Sequence, residues 1–192
     1  MGTDKEQERP AGYKWHELPE MGTKILMPDY WFTRRVTTNM PGHLVTINIA
    51  RENMFKRNFK TGVAISATDR SIDPDSVSLE KAHEIAKVPD GFLLNTDIIS
   101  TTEDQDFAGI EYTGTRNVDF QMPGNVQRVF AGLVAKPEPN FRHYKVAISK
   151  KTGIVFMANF ECPSDRIEQD YPKGQKMLQS LAFNPLVPGR VT

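Results

Sequence analysis

Two short stretches of this sequence carry residue types that could bind a metal ion for catalysis or signalling. His83-Glu84 begins the zinc-protease pattern, in which a second histidine four residues after the first places both imidazoles on one helix face. Lys87 occupies that later position, so the ligand set is incomplete. We therefore expect His83 to be a partly exposed side chain on an amphipathic helix, with no zinc beside it.

The acidic segment Asp104-Gln105-Asp106 resembles the opening of a calcium-binding loop, with ligand-capable residues at positions 1 and 3 and a glycine at position 6. Position 5 is Ala108 and position 12 is Thr115, so a third side-chain ligand and the closing glutamate are missing. We expect a solvated acidic loop here. No metal site and no cofactor are predicted for the chain.

Cys162 is the single cysteine, which excludes an intrachain disulfide. It precedes Pro163 at a predicted junction of strand and helix, where the helix N-terminus would lower the thiol pKa. A nucleophilic cysteine also needs a histidine that only folding could supply, and free cysteines usually pack as small buried side chains. No nucleophile elbow, phosphate-binding loop or dinucleotide fingerprint is present. We predict no catalytic residue and a protein that is not an enzyme.

The charge balance bears on whether the protein binds nucleic acid or another polyanion. The 192 residues contain 24 Lys and Arg against 24 Asp and Glu, a net charge of zero, which argues against a dedicated polyanion binder. Hydrophobic residues at 39% and charged residues at 25% are typical of a globular protein. The length favours one domain at 21–185, preceded by a polar arm at 1–20 and followed by a tail at 186–192.

The N-terminal residues bear on location. The first ten are polar and lack the apolar core of a signal peptide, and no run approaches the roughly 20 apolar residues of a membrane helix. The sequence as written therefore predicts a cytoplasmic protein without membrane insertion, or a periplasmic or lumenal one if a signal peptide was removed. The lack of an Asn-x-Ser/Thr glycosylation acceptor is consistent with a bacterial protein.

The elements that must position any site follow from hydrophobic periodicity. Two amphipathic helices are predicted, at 75–88 and at about 172–182, the second because Pro172 and Gly174 interrupt an apolar stripe that begins at Ile167. Alternating apolar and β-branched residues predict strands at 44–50, 62–68, 107–116, 126–136, 144–149 and 153–161, with a shorter one near 30–37. Antiparallel strands with helices between and after them predict an α+β fold, an antiparallel sheet of about six strands flanked by helices.

The order of these elements resembles a known family. The hairpin and segment 152–160, then Cys162-Pro163-Ser164-Asp165, then a helix ending in 177–183, resemble the close of a PsbP-like domain. Met27-Pro28-Asp29-Tyr30-Trp31 is similar to the family's entry into its first strands, and 60–65 stands where a third strand would follow. The superfamily includes the photosystem II extrinsic protein PsbP, the yeast Ran-binding protein Mog and many bacterial proteins.

This resemblance covers about residues 20–184 and implies a PsbP-like α/β sandwich. The superfamily is mostly non-enzymatic, and its members bind different partners. Its bacterial members include cytoplasmic chaperones that hold apolar helices of secreted effectors. The resemblance therefore implies a partner protein, without identifying it.

Two groups of basic and aromatic residues are candidates for a partner surface. The segment 51–60 interleaves them as a nucleic-acid surface would, but the neutral chain favours a strand-connecting loop without nucleic acid. Arg34 and Arg35 lie near Trp31, and these residue types dominate protein interfaces, although a core position for Trp31 is the alternative. The predicted binding residues are Trp31, Arg34, Arg35, Arg51, Lys56 and Arg57.

Two functional hypotheses follow. The first is a non-catalytic protein-binding, adaptor or chaperone-like module. The alternative is a small-molecule-binding or hydrolytic protein with a cleft between sheet and helices, to which Cys162 and His143 would contribute polar groups.

Overall fold

The computed structural model describes residues 9–36, 41–51, 60–90, 93–116 and 140–186, and these form strands, two α-helices and short 3-10 turns. The strands are β1 (Tyr13–Leu18), β2 (Thr23–Pro28), β3 (Phe32–Val36), β4 (His43–Ala50), β5 (Gly62–Asp69), β6 (Leu93–Glu103), β7 (Phe107–Arg116), β8 (Asn140–Ser149) and β9 (Ile154–Pro163). The helices are α1 (Leu79–Asp90) and α2 (Ile167–Ser180).

The main sheet is antiparallel and has seven strands in the order β3-β4-β5-β9-β8-β7-β6, while β1 and β2 form a separate hairpin. The predicted α+β class is confirmed, with more strands than the expected six. Two of the additional strands belong to the hairpin, and β6 is a third. The predicted strand at 126–136 lies outside the described residues.

The central strand β9 buries both of its faces. Phe156 and Phe160 lie on one face with α2 and the hairpin, and Val155 lies on the other face with α1. Full burial of a large apolar side chain contributes roughly 2–3 kcal/mol to folding. Because successive side chains of a strand alternate between faces, the all-apolar residues 154–158 need cover on both sides. The sheet is therefore the middle layer of three.

The helix α2 begins earlier than its sequence predicts. It runs without a break from Ile167 to Ser180, with Pro172 inside it, so the predicted start at residue 172 was wrong. Pro172 removes one helical hydrogen bond, to the carbonyl of Glu168. Both residues are exposed, so water can satisfy that carbonyl, and packing of the opposite face stabilises the helix across the proline.

Strands β1, β2 and β6 were not predicted, the two hairpin strands and β6 for different reasons. β1 lies before residue 20, in the segment expected to be a polar arm, where it pairs with β2 residue by residue. β6 is the last strand of the sheet and is exposed along 96–103, so it lacks a buried face to produce alternation. The domain boundaries themselves stay a prediction.

Gly174 sets how closely α2 approaches the sheet. It is buried, and a Cβ built on it would overlap the ring of Phe160 on β9. No glycine-specific backbone angle is involved, since Gly174 lies inside a regular helix. The requirement is therefore one of space between helix and strand.

We predict that Gly174→Ala destabilises the protein by about 1–3 kcal/mol, because the added methyl group overpacks the contact with Phe160. Helix propensity alone predicts the opposite effect, a gain in the free energy of unfolding of up to about 1 kcal/mol. Urea unfolding of both proteins shows whether the substitution lowers or raises that free energy. The matched control is Gln179→Ala on the exposed side of α2, which should change stability by less than about 0.5 kcal/mol. A stabilised Gly174→Ala variant would contradict the close approach.

Candidate functional site

A chain of hydrogen bonds crosses the sheet face under α2, from β6 to the helix. His143 is 1% exposed, and its Nε2 lies 2.7 Å from Oε1 of Glu111. Ser100 donates its hydroxyl to Oε2 of the same carboxylate at 3.2 Å. The hydroxyl of Tyr171 on α2 lies 3.2 Å from Nδ1 of His143. We call these four residues the Glu111 network.

The charge state of Glu111 orders this network. The hydrogen bond from His143 is the main cause that holds the pKa of the Glu111 carboxyl below its ordinary value. An ionised carboxylate only accepts, so His143 Nε2 donates to it, and in the neutral imidazole Nδ1 is then the acceptor for Tyr171. Burial raises the pKa of Tyr171, and the charge of Glu111 adds to this, so the phenol stays protonated and donates.

Lys145 lies directly opposite Glu111 in the pairing of β7 with β8. Its ammonium group donates to the backbone carbonyls of Leu178 at 3.2 Å and Leu181 at 2.8 Å, at the C-terminal end of α2. A cation is favourable there because the last carbonyls of a helix lack intrahelical donors. Burial lowers the pKa of Lys145, and the neighbouring Glu111 opposes that effect.

A groove of about 250 Å³ opens where α2 ends above the sheet. It lies between strands β6 to β8 and the segment that follows the helix. Its polar and aromatic lining comprises Ser100, Thr102, Phe107, Glu111, Lys145 and Phe183. Neither Cys162 nor His143, the polar groups expected in a cleft between sheet and helices, lines this groove. His143 reaches it only through its bond to Glu111.

Cys162 is a packing residue. Its side chain is fully buried in the core under α2, and burial, with the charge of Asp170 as the next cause, raises the pKa of the thiol to about 12. The expected lowering by a helix N-terminus was wrong because α2 starts only at Ile167, after a 3-10 turn. A thiol with this pKa carries almost no thiolate near neutral pH. The hydrolytic alternative therefore lacks a cysteine nucleophile.

Of the predicted binding residues, Trp31 is 3% exposed and belongs to the core. A core position was the expected alternative to a position on the partner surface. Arg34 and Arg35 on β3 are exposed. Arg35 pairs with Glu20 on the side of the hairpin, so Arg34 projects from the opposite side of the strand. The binding role of this set stays a prediction.

Arg51 takes part in a buried ion-pair cluster instead of standing free on the surface. Asp170 on α2 is fully buried and lies 3.4 Å from Arg51, 2.9 Å from Arg166 and 3.5 Å from Lys173. A buried carboxylate requires such partners. Arg51 therefore ties the end of β4 to α2. Lys56 and Arg57 lie outside the described residues.

The two metal-like motifs have ordinary polar partners. Asp104 accepts from the backbone N–H groups of Asp106 and Phe107, each at 2.8 Å, and so closes the turn between β6 and β7. Glu84 pairs with Lys81 at 2.8 Å on α1. Within the described ranges, no three His, Cys, Asp or Glu side chains converge as metal ligands would.

Sequence reasoning missed Glu111, Lys145 and Tyr171 as a group. A signal was present, since Glu111 and Lys145 are charged residues on the alternate face of strands that were predicted correctly. Their register across β7 and β8, and the placement of Tyr171 above them, depend on pairing between segments about 30 residues apart.

Comparison with solved structures finds chains of similar fold. No family model and no curated protein matches the chain. The chain is similar to the solution structure of cyanobacterial PsbP (CyanoP) from Synechocystis sp. PCC 6803, at 12% identity and a TM-score of 0.46, over 91% of this chain and 94% of that one. The resemblance inferred from sequence, to PsbP, to Mog and to bacterial proteins, stays a prediction. A likeness at this level identifies no function.

Among the described residues, no helix is long and apolar enough to cross a bilayer.

We predict that Cys162 resists alkylation in the folded protein. At pH 8 a thiol with a pKa of about 12 is ionised about 1,000-fold less than one with the ordinary value of 9.0, and burial slows access further. Iodoacetamide labelling followed by mass spectrometry, in buffer and in urea, measures the ratio. Labelling at similar rates in both conditions would return Cys162 to the list of candidate nucleophiles.

We predict that Glu111→Gln destabilises the protein by about 1–3 kcal/mol at pH 7, because buried His143 loses a charge-assisted hydrogen bond. The pKa of Glu111 is lowered from 4.5 in the folded state, so this stabilisation is complete above pH 4.5 and is lost as the pH falls through the lower folded value. Urea unfolding between pH 7 and pH 3 should show the two proteins converging in acid. Glu168→Gln, an exposed carboxylate on α2, is the control. A difference in stability between the two proteins that does not change with pH would contradict the role of the Glu111 charge.

Proposed function

We propose that this protein is a non-catalytic module that binds a partner protein, in an adaptor or chaperone-like role, through the terminal strand β3. One observation carries the proposal. Tyr30 is 55% exposed and Phe32 is 47% exposed, and the two flank buried Trp31 at the start of a strand that ends the sheet. Exposed aromatic residues near arginine are the types that contribute most to protein interfaces.

The backbone of β3 favours addition of another strand. β3 pairs with β4 on one side only, and within the described residues no strand pairs with its other side. Such an edge offers unpaired N–H and C=O groups to an extended peptide. Trp31 anchors the beginning of β3 in the core, so the edge is held in place before a partner arrives.

The other edge of the sheet is less suited to this role. β6 exposes Ile98 and Ile99, but its pairing with β7 shifts register twice, between residues 94 and 97 and between 98 and 100. Such irregularities interrupt the ladder and protect an edge against further strands. β3 pairs with β4 over residues 32–36 without a shift.

The side chains indicate the chemistry of the partner. Phe32 and Arg34 lie two residues apart and therefore share one face of β3, and Arg35 lies on the other face. We expect an extended segment that places an apolar side chain against Phe32 and an acidic one near Arg34. The cytoplasmic location stays a prediction of the sequence.

The test begins with a photo-crosslinking residue at position 32, which captures the partner in the host, and continues with the purified partner. We expect Phe32→Ala and Arg34→Glu each to weaken binding about 10-fold or more in calorimetry, because they remove the apolar anchor and reverse the charge. Ile98→Ala, at the opposite edge, is the control and should change the affinity less than twofold.

Hydrogen exchange provides a second measurement, since an added strand should protect backbone amides within residues 32–36 and leave β6 unchanged. Equal affinities of Phe32→Ala and the unmodified protein, with protection elsewhere, would contradict binding at β3. Turnover of a small substrate by the purified protein, abolished by a single substitution, would contradict the non-catalytic role.

A further inference from the structure

The groove at the end of α2 contains two opposite charges that face each other without pairing. Glu111 and Lys145 are directly opposite in the antiparallel ladder, where side chains of opposite charge normally meet. The carboxylate is bonded by His143 and Ser100 instead, and the ammonium group by the carbonyls of Leu178 and Leu181. All these residues are described, and no ion pair within 4.0 Å joins Glu111 to Lys145.

Each charged group retains hydrogen-bonding capacity. A carboxylate has about four acceptor positions, and Glu111 uses one on each oxygen. An ammonium group has three donors, and Lys145 uses two on backbone carbonyls, while its Nζ also lies 5.9 Å from the ring centroid of Phe183. The groove therefore offers an acceptor beside a donor, and both groups are held in place by other contacts.

Aromatic rings form the apolar walls. Phe183 stacks on Phe156 at 4.9 Å between centroids, and Phe107 meets the same ring edge to face at 6.2 Å. Phe107 and Phe183 line the groove, while Phe156 is buried beneath them. A flat apolar ring can pack against such walls at low cost.

The groove has room for a molecule of about the size of one aromatic ring. Its volume is about 250 Å³, and it is open to solvent on one side. An anionic ligand would meet the carboxylate of Glu111, and a cationic one would meet the ammonium of Lys145, so the pair favours a molecule without net charge.

We propose that this groove binds a small neutral molecule whose flat apolar body carries a hydrogen-bond acceptor next to a donor, as a primary carboxamide does. Its carbonyl oxygen accepts from Lys145, its N–H donates to Glu111, and its ring packs between Phe107 and Phe183. This site lies on β6 to β8, toward the opposite edge of the sheet from β3, and does not depend on the proposed protein-binding role.

The test uses benzamide as the probe, with benzoate and benzylamine as comparators of the same size and opposite charges. Titrations are followed by ¹H–¹⁵N NMR on the full-length protein. We expect benzamide to bind with a Kd of about 1–5 mM, to shift the amides of Gly109 and Ala182, and to bind at least about 5-fold more tightly than either comparator. No binding of benzamide at about 20 mM, or tighter binding of a charged comparator, would overturn the proposal.

Substitutions locate the site. Ala182 is exposed and lines the groove, so Ala182→Trp should block it and weaken benzamide binding at least about 10-fold, whereas Gln179→Trp on the exposed side of α2 should not. Glu111→Gln should weaken it about 5-fold or more, with Glu84→Gln on α1 as the control. Unchanged binding to Ala182→Trp would refute this site even if Glu111→Gln proves unstable.

Discussion

The whole arrangement depends on the burial of both faces of β9. This strand is the middle one of seven, and its side chains are apolar in both directions over residues 154–158, so neither face can be left in water there. The hairpin of β1 and β2 covers one face together with α2, and α1 covers the other. Gly174 permits α2 to lie close enough to exclude water above Phe160.

The groove exists because α2 covers only part of its face of the sheet. α2 ends at Ser180, and the chain continues in extended form from Leu181, so the helix does not reach across β7 and β6. The side chains there change accordingly from apolar to polar, with Lys145 and Glu111 in the same cross-strand row as Ala158 of β9. The buried end of this polar strip is satisfied by His143 and Tyr171, and its open end faces the groove.

The two edge strands of the sheet differ in how regularly they pair with their neighbours. The proposed protein-binding surface lies at the regular edge, and the proposed groove lies toward the irregular one. β3 is regular, anchored by Trp31 and flanked by exposed aromatic residues. β6 is irregular in its pairing, and its hydroxyl side chains Ser100 and Thr102 belong to the groove. A segment of a protein and a small molecule can therefore be bound at opposite edges of one sheet without competing.

The sequence by itself determined the fold class, the strands β4, β5, β7, β8 and β9, and the approximate position of both helices, because alternation and helical periodicity are local properties of buried elements. It also identified Cys162 as a packing residue and showed the metal motifs to be incomplete. It could not locate β6, whose exposure removes alternation, or the start of α2, where packing outweighs the local preference of Pro172. Only the tertiary structure decided that Glu111 faces Lys145, that Tyr171 reaches His143 and that Arg51 joins Asp170. These contacts depend on strand register and helix placement, which are set by burial across the whole sheet and not by neighbouring residues in the chain.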